Sequence, residues 1–283
     1  MSVKPPVVPV AAATLVLLRE HPAGGAETRL ELSEGRLEAP EGRLEAPEML
    51  LIRRHGKSKF AAGDHVFPGG KVETHDNPAD AAEWCTGLDL AAVAPRLGLS
   101  PDETLAHLCG VIRETFEEVG VLLAYDADGA PARVDDPRFV EYRTACQVSD
   151  AAFWTMVRGE GLKLATDRLV YFAHWITPEE QPLRFDTRFF AAEMMAGQDA
   201  VADGLEITEV RWLSPEGALD AAKRGEISLR NPTARNIELF RGAKSAADAV
   251  RGVMGRAIPT IRPRVLMENG RRRVLMPDDP GWY

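Results

Sequence analysis

Arg113-Glu114-Thr115-Phe116-Glu117-Glu118-Val119-Gly120-Val121 is the stretch on which the reading of this chain turns. At 100° per residue, Leu108, Ile112, Thr115, Phe116 and Val119 fall on one stripe of a helix. Glu114, Glu117 and Glu118 gather within about 100° of one another on the opposite side. Ser100-Pro101-Asp102-Glu103 gives the helix its start, with Ser as N-cap, Pro at the first helical position and Glu at the third. Gly120 gives the stop, so a helix is expected from Pro101 to Val119. Three carboxylates on adjacent turns repel one another unless a cation sits among them. Oxygen donors of this kind suit a hard divalent ion, Mg²⁺ or Mn²⁺, better than zinc. Arg113 lies one turn before Glu117 and is placed to hold that side chain. Taken alone, the same glutamates also read as an exposed acidic helix face.

The flanks add to the first reading. A strand expected over Ala11 to Arg19 pairs with a second over Met49 to Arg54, and Phe67-Pro68-Gly69-Gly70 follows as a turn. Glycines there let backbone approach a ligand closely. Arg53, Arg54, Lys57 and Lys59 place cations beside that turn, as a phosphorylated substrate requires, although a plain basic strand end would look the same. Further on, helices are expected at 137–146 and 150–158, the latter capped by Ser149. Strands follow at 169–176, 187–193 and 206–213, and Ser214-Pro215-Glu216 opens another capped helix. Helical segments fill about 233–254, and 264–276 reads as a hairpin on Asn269-Gly270. The heptapeptide Glu34 to Pro40 is repeated at once as Glu41 to Pro47, a duplicated loop with no chemistry of its own.

With these residues in view, the chain resembles the Nudix hydrolases, whose box runs Gly-x5-Glu-x7-Arg-Glu-U-x-Glu-Glu-x-Gly-U, U being a bulky aliphatic. Its second half matches at Arg113, Glu114, Glu117, Glu118, Gly120 and Val121. Counting from Gly70, the first Glu of the box falls on Asp76, a shorter carboxylate, and Thr115 stands where the aliphatic is expected. Residues 77 to 112, 36 in all, occupy a gap of seven, an insertion of 29. An interrupted box is similar to the branch of the mammalian peroxisomal coenzyme A diphosphatases. Leu50 to Arg54, His65 to Gly70 and Arg184 to Phe190 look like that branch too. The resemblance covers about residues 10–240.

The resemblance implies an α/β fold, a Nudix-like α/β/α sandwich with a mixed sheet, a helical insertion inside the box (77–112) and a C-terminal β-hairpin. It implies one Nudix hydrolase domain over 1–283, with its core at about 10–240 and a basic extension at 251–283. Glu117 and Glu118 would ligate Mg²⁺ or Mn²⁺, and the Gly69 carbonyl would complete the metal shell. Glu114 would ligate or activate the attacking water, and Arg113 would orient Glu117. Arg53, Arg54, Arg184 and Arg188 are candidates for gripping substrate phosphates, though Arg184, Asp186 and Arg188 equally suit a structural ion-pair network. Glu206 and Glu209 are candidates for an accessory base, or for surface salt bridges. The implied reaction is hydrolysis of a diphosphate in a nucleoside diphosphate derivative, with coenzyme A or an acyl-CoA leading. The alternatives are a pyrophosphatase for ADP-ribose or NADH, and a non-catalytic module binding a nucleotide or a protein.

Composition bounds the rest. The chain has 283 residues, 45% hydrophobic and 27% charged, the usage of a globular protein with a core of ordinary size. Lys and Arg number 34 against 43 Asp and Glu, a net charge of -9 that argues against a nucleic-acid partner. From Arg251 onward seven arginines face three acidic residues, so the tail is +4 within an acidic chain. That tail reads as a solvated edge hairpin or as a phosphate- or subunit-contacting element. Cys85, Cys109 and Cys146 are too few and scattered for a disulfide framework or zinc site, and a reduced, cytoplasmic setting is expected. The apolar run from Val7 to Leu18 contains Pro9 and is too short to span a bilayer, so no membrane partner is expected. The six histidines show no metal spacing. P-loop, dinucleotide and nucleophile-elbow motifs are missing from the sequence. The expected partner is a phosphorylated small molecule, with a homodimer as the candidate assembly.

Overall fold

Ten residues from Val10 to Arg19 form β1, and Val16 to Leu18 within it are fully buried, as expected for a strand covered on both faces. The computed structural model describes residues 6–22, 46–57, 61–87, 89–149, 151–268, 271–277, 279 and 282. β2 (Glu48–Arg54), β3 (His65–Val66) and β4 (Gly69–Lys71) come next. Two 3₁₀ turns, Thr74–Asp76 and Ala81–Trp84, lead to α1 (Leu90–Leu97) and α2 (Pro101–Val119). Then follow β5 (Ala124–Tyr125), α3 (Pro137–Cys146), α4 (Ala152–Gly159) and β6 (Lys163–Leu164). β7 (Val170–Ile176), β8 (Phe185–Glu193) and β9 (Ile207–Leu213) are followed by α5 (Pro215–Lys223), α6 (Asn231–Glu238) and α7 (Ala246–Val253). β10 (Thr260–Ile261), β11 (Arg264–Glu268) and β12 (Arg271–Leu275) close the chain.

The main sheet runs β10-β7-β8-β1-β2-β3, with β4 also on β1 and β9 also on β2. β1 lies parallel to β8 and β7 parallel to β10, whereas the other pairs are antiparallel. The sheet is therefore mixed, as expected. On one face Leu15, Leu17, Leu50 and Ile52 pack against Leu108, Ile112 and Phe116 of α2 and Phe153 and Trp154 of α4. On the other, Val16, Leu18, Met49 and Leu51 pack against Ala218 of α5, Ile237 of α6 and Ala249 and Val253 of α7. Alternate residues of the same strands thus feed two cores, and helices cover both faces.

Several local expectations change. β1 and β2 pair only at Leu18–Met49 and Arg19–Glu48, because β4 takes the rest of that edge of β1 and β3 sits on the same edge of β2, while β9 covers the opposite edge of β2. Ser149 does not cap α4 with its side chain; the N-cap position is Ala151. The counted insertion 77–112 is not wholly extra structure, since its last twelve residues are the first three turns of α2. What interrupts the box is the segment from Asn77 to Ser100, which holds one 3₁₀ turn and α1. The capping box at Ser100 forms as read: Ser100 Oγ accepts from the Glu103 N–H, and Glu103 Oε2 accepts from the Ser100 N–H at 2.9 Å. Gly120 ends the helix in the left-handed region at φ 74°. Lys59, the turn Asn269-Gly270 and residues 34–45 of the duplicated loop lie outside the described residues.

Candidate active site

Asp76, Arg113, Glu114, Glu117 and Glu118 gather where α2 crosses β4 and the 3₁₀ turn that follows it, and Arg113 is the hub of all but Glu118. Its Nε donates to Asp76 Oδ1 at 2.6 Å and its Nη2 to Asp76 Oδ2 at 3.1 Å. Nη2 also donates to the Lys71 carbonyl at 3.1 Å, and Nη1 reaches Glu114 Oε1 at 3.0 Å and Glu117 Oε2 at 3.1 Å. Arg113 and Asp76 are both buried, an arrangement stable only because the pairing is bidentate and the remaining donors are bonded. Burial works against the guanidinium charge, but the Asp76 hydrogen bonds and the Glu114 and Glu117 carboxylates outweigh it and hold the pKa above its ordinary value.

Glu118 is buried at the foot of the turn. Its Oε2 accepts the Gly69 N–H at 2.8 Å, and its Oε1 lies 3.6 Å from Arg54 Nη1. Gly69 has φ 142°, a conformation open to glycine, and an added Cβ would strike the β1 backbone at Ala13 and Thr14. At Gly70 a Cβ would lie 2.5 Å from the Glu114 carboxyl carbon. Gly69 thus lets the turn lie against β1, and Gly70 admits the Glu114 carboxylate. Burial pushes Glu118 well up from the carboxylate range, with Glu114 adding to it and Gly69 and Arg54 opposing. Burial likewise pushes Glu114 up against the pull of Arg113. Glu117 is pushed up to about 7 by burial, with Arg113 opposing and Glu114 adding. The acidic stripe is therefore not a solvated helix face. It is a partly dry set of oxygen donors that resists full ionisation until positive charge joins it, and this chemistry fits Mg²⁺ or Mn²⁺.

Among the described residues no three His, Cys, Asp or Glu side chains close into a metal cage. The hydrogen bonds account for this. Arg113 draws Glu114 and Glu117 to itself, while Gly69 and Arg54 hold Glu118. Gln147 Nε2 and Arg143 Nε of α3 donate to the Glu117 carbonyl at 3.2 and 3.0 Å and tie the end of α2 in place. Thr115, which departs from the family pattern, is buried and returns its hydroxyl to the Val111 carbonyl at 2.7 Å, so its polarity costs the core little.

These carboxylates open into a cavity of about 1400 Å³ that Arg54, Lys57 and Glu206 also line. Glu206 lies 3.5 Å from Arg54 Nη2. Arg54 is the one arginine among the four candidates that lines this cavity. Arg53 points the other way along β2, is exposed, and lies 3.9 Å from Glu209. Glu209 contacts Arg53, His65 and Arg211 and does not line the cavity. Arg184 donates to the carbonyls of Val7 and Thr177, and Arg188 to Asp186 and the Leu97 carbonyl. The two-residue period of β8 explains Arg188: Phe185, Thr187 and Phe189 face the cavity, so Asp186 and Arg188 face α2. Sequence reading missed Asp76 as a member of the site, although counting from Gly70 lands on it and the carboxylate type is kept.

A family model described as the NUDT19 Nudix domain matches residues 100–240, which contain α2 and its carboxylates. The family the chain matches is that of the Nudix hydrolases. Among curated relatives, the acyl-coenzyme A diphosphatase NUDT19 of Gallus gallus is 29% identical over 228 residues, covering 65% of this chain and 58% of the relative. The Xenopus laevis protein of the same name is 27% identical over 220 residues, covering 65% and 57%. The Homo sapiens one is 24% identical over 269 residues, covering 82% and 71%. The chain thus spans under three fifths of the length of the bird and frog relatives. A crystal structure of a NUDIX hydrolase from Alicyclobacillus acidocaldarius superposes with a TM-score of 0.66 at 24% identity, over 87% of this chain and 97% of that one. That likeness establishes the Nudix fold. Among the described residues, no helix is long and apolar enough to cross a membrane.

Proposed function

We propose that this Nudix chain is a divalent-metal-dependent diphosphatase whose leading substrate is coenzyme A or an acyl-CoA. The observation that carries the reading is the Glu114–Glu117–Glu118 cluster, locked by Arg113 and Asp76 against the Gly69–Gly70 turn and open to a large cavity. The CoA assignment draws on relatives named acyl-coenzyme A diphosphatase. Water attacks one phosphorus of the P–O–P bridge, one bridging P–O bond breaks, and each half leaves with a phosphate monoester. From CoA this gives phosphopantetheine and 3′,5′-ADP; from an acyl-CoA, acyl-phosphopantetheine and 3′,5′-ADP.

Glu117 and Glu118 would hold Mg²⁺ or Mn²⁺, with the Gly69 carbonyl as a further oxygen. A bound divalent ion supplies charge neutralisation on the phosphoryl oxygens and lowers the pKa of coordinated water. Arg113 fixes Glu114 through Oε1 and leaves Oε2 to take the proton of the attacking water. Arg54, between Glu118 and Glu206, has a buried Nε without a partner and is the cation best placed to meet substrate phosphate. The same reading keeps the chain in a reducing, cytoplasmic setting, in line with three free thiols.

The test is a substrate panel with Mg²⁺ and with Mn²⁺: CoA, an acyl-CoA, ADP-ribose, NADH and a dinucleoside polyphosphate. Preference for CoA or its thioester supports the reading. Equal or better turnover of ADP-ribose removes the CoA assignment, and metal-independent binding without turnover removes the diphosphatase.

A further inference from the structure

The cavity has two chemically different ends. Register sets its floor: Gly69, Thr14 and Phe189 lie in one row across β4, β1 and β8. Lys71, Ala12, Thr187 and Trp175 lie in the next, which extends to β7. Neighbouring strands are about 4.8 Å apart, so that row spans roughly 14 Å. Its middle is small, Ala12 and Thr14, so no side chain rises there to divide the cavity.

The charged lining residues, among them Glu114, Glu117, Glu118, Arg54, Lys57 and Arg230, come from the β4 side or from the segments beyond it. On the far side the lining comes from β7, β8, the loop between them and the C-terminal extension. It includes Trp175, Leu183, Phe185, Phe189, Pro263 and Val274. Among the described lining residues of that arm none is Asp, Glu, Lys or Arg. Arg184, Asp186 and Arg188 belong to the same stretch of chain but are absent from the lining. Pro263 and Val274 lie outside residues 100–240, the part matched by the family model.

We propose that this uncharged arm binds the acyl chain of a thioester substrate, with Pro263 and Val274 as one of its walls. The inference rests on the CoA reading and adds an orientation to it. A CoA molecule carries its ribose phosphate dianion at the nucleotide end, and a dianion is costly to bring into an arm whose described lining residues include no cation. The nucleotide therefore takes the end with Arg54 and Lys57, the diphosphate lies over the glutamates, and the pantetheine runs along the floor to the apolar arm. At about 1400 Å³ the cavity exceeds the roughly 300–1,000 Å³ of ordinary small-molecule sites, room that a long substrate needs. The C-terminal extension thereby becomes part of the substrate site.

The experiment measures kcat/KM for CoA, butanoyl-CoA and octanoyl-CoA with Mg²⁺, in wild type, Leu183→Asp and Val274→Asp. Calorimetry with S-octanoyl-pantetheine, which has neither phosphate nor nucleotide, reads the arm without turnover. Milder variants, Leu183→Asn and Val274→Thr, serve where melting curves show that Asp does not fold. Wild type is expected to gain with chain length, by up to about fourfold per methylene buried. The variants are expected to lower the octanoyl-CoA to CoA ratio at least tenfold and to weaken octanoyl-pantetheine binding. An unchanged ratio with unchanged binding overturns the proposal, as does displacement of octanoyl-pantetheine by adenosine 3′,5′-bisphosphate. If CoA is not cleaved but octanoyl-pantetheine binds wild type and not Val274→Asp, the diphosphatase reading fails while the arm stands.

Discussion

Asp76 receives two hydrogen bonds from Arg113, at 2.6 and 3.1 Å, across 36 intervening residues. The box is interrupted in sequence but closed in space. The segment from Asn77 to Ser100 leaves the site and returns, and α2 brings Arg113 back over the turn that ends at Asp76. A shorter carboxylate fits here because Asp76 Oδ2 packs against Gly110, where an added Cβ would lie only 2.7 Å away.

That pair should dominate local stability. Asp76→Ala leaves a buried guanidinium without its bidentate partner, a loss of about 3–5 kcal/mol. A melting temperature lower by roughly 10 °C is expected for a chain of this size. Thermal unfolding with far-UV circular dichroism checks it, and a shift of only one or two degrees would show that Asp76 does not anchor Arg113.

The two glycines of the turn should separate fold from chemistry. Gly69→Ala drives a Cβ into the β1 backbone and should unfold the edge or prevent expression. Gly70→Ala meets only the flexible end of Glu114, so the fold should survive. Glu114 would be displaced by about an ångström, and a fall in kcat of roughly 10²-fold is expected for such a misplacement. Paired melting curves and rate measurements read both outcomes.

Stability should depend on pH and on metal together. The folded pKa of Glu117, about 7, lies above its ordinary value of 4.5. The folded state therefore binds the proton more tightly, and the associated stability is complete below 4.5 and lost as pH rises through about 7. Glu114 and Glu118 act in the same direction. Asp186, whose pKa is lowered despite burial by His174 and Arg188, acts oppositely in the acid range below its ordinary value of 3.8, outside this window. His65 and His107, which burial lowers from 6.5, also act oppositely, within the window but only below 6.5, and the three glutamates outnumber them. In chelator, the melting temperature should fall between pH 5 and 8. Millimolar Mg²⁺ should restore it at pH 8, and Glu117→Gln should flatten the chelator profile. A flat wild-type profile in chelator would contradict the burial of these carboxylates.

The helix was legible because its signals are local. Ser100, Pro101 and Glu103 mark the start, Gly120 marks the end, and the apolar stripe from Leu108 to Val119 decides which side is buried. The carboxylate set followed from the same helical period, and the mixed sheet and the individual roles of the glutamates from the family resemblance. What escaped were facts fixed by packing across strands. Arg53 and Arg54 are adjacent in sequence but diverge, with a register irregularity between them in the pairing with β9. Arg184 and Arg188 read as text equally as phosphate ligands or as parts of an ion-pair network, and packing decides between them: their guanidiniums bind backbone carbonyls and Asp186. Asp76 looked like a weakened position, and only the closure of α2 over the turn shows it gripping Arg113 with both oxygens.

The central claim is metal-dependent cleavage of a diphosphate at Glu114, Glu117 and Glu118. Its most direct test is ³¹P NMR of CoA incubated with the protein, with and without Mg²⁺, beside folded Glu117→Gln and Glu118→Gln variants. The expected result is loss of the diphosphate resonances and growth of new monoester signals, only with metal and strongly slowed in both variants. A diphosphate that stays intact with Mg²⁺ or Mn²⁺, or one cleaved equally fast by both variants, would contradict the claim.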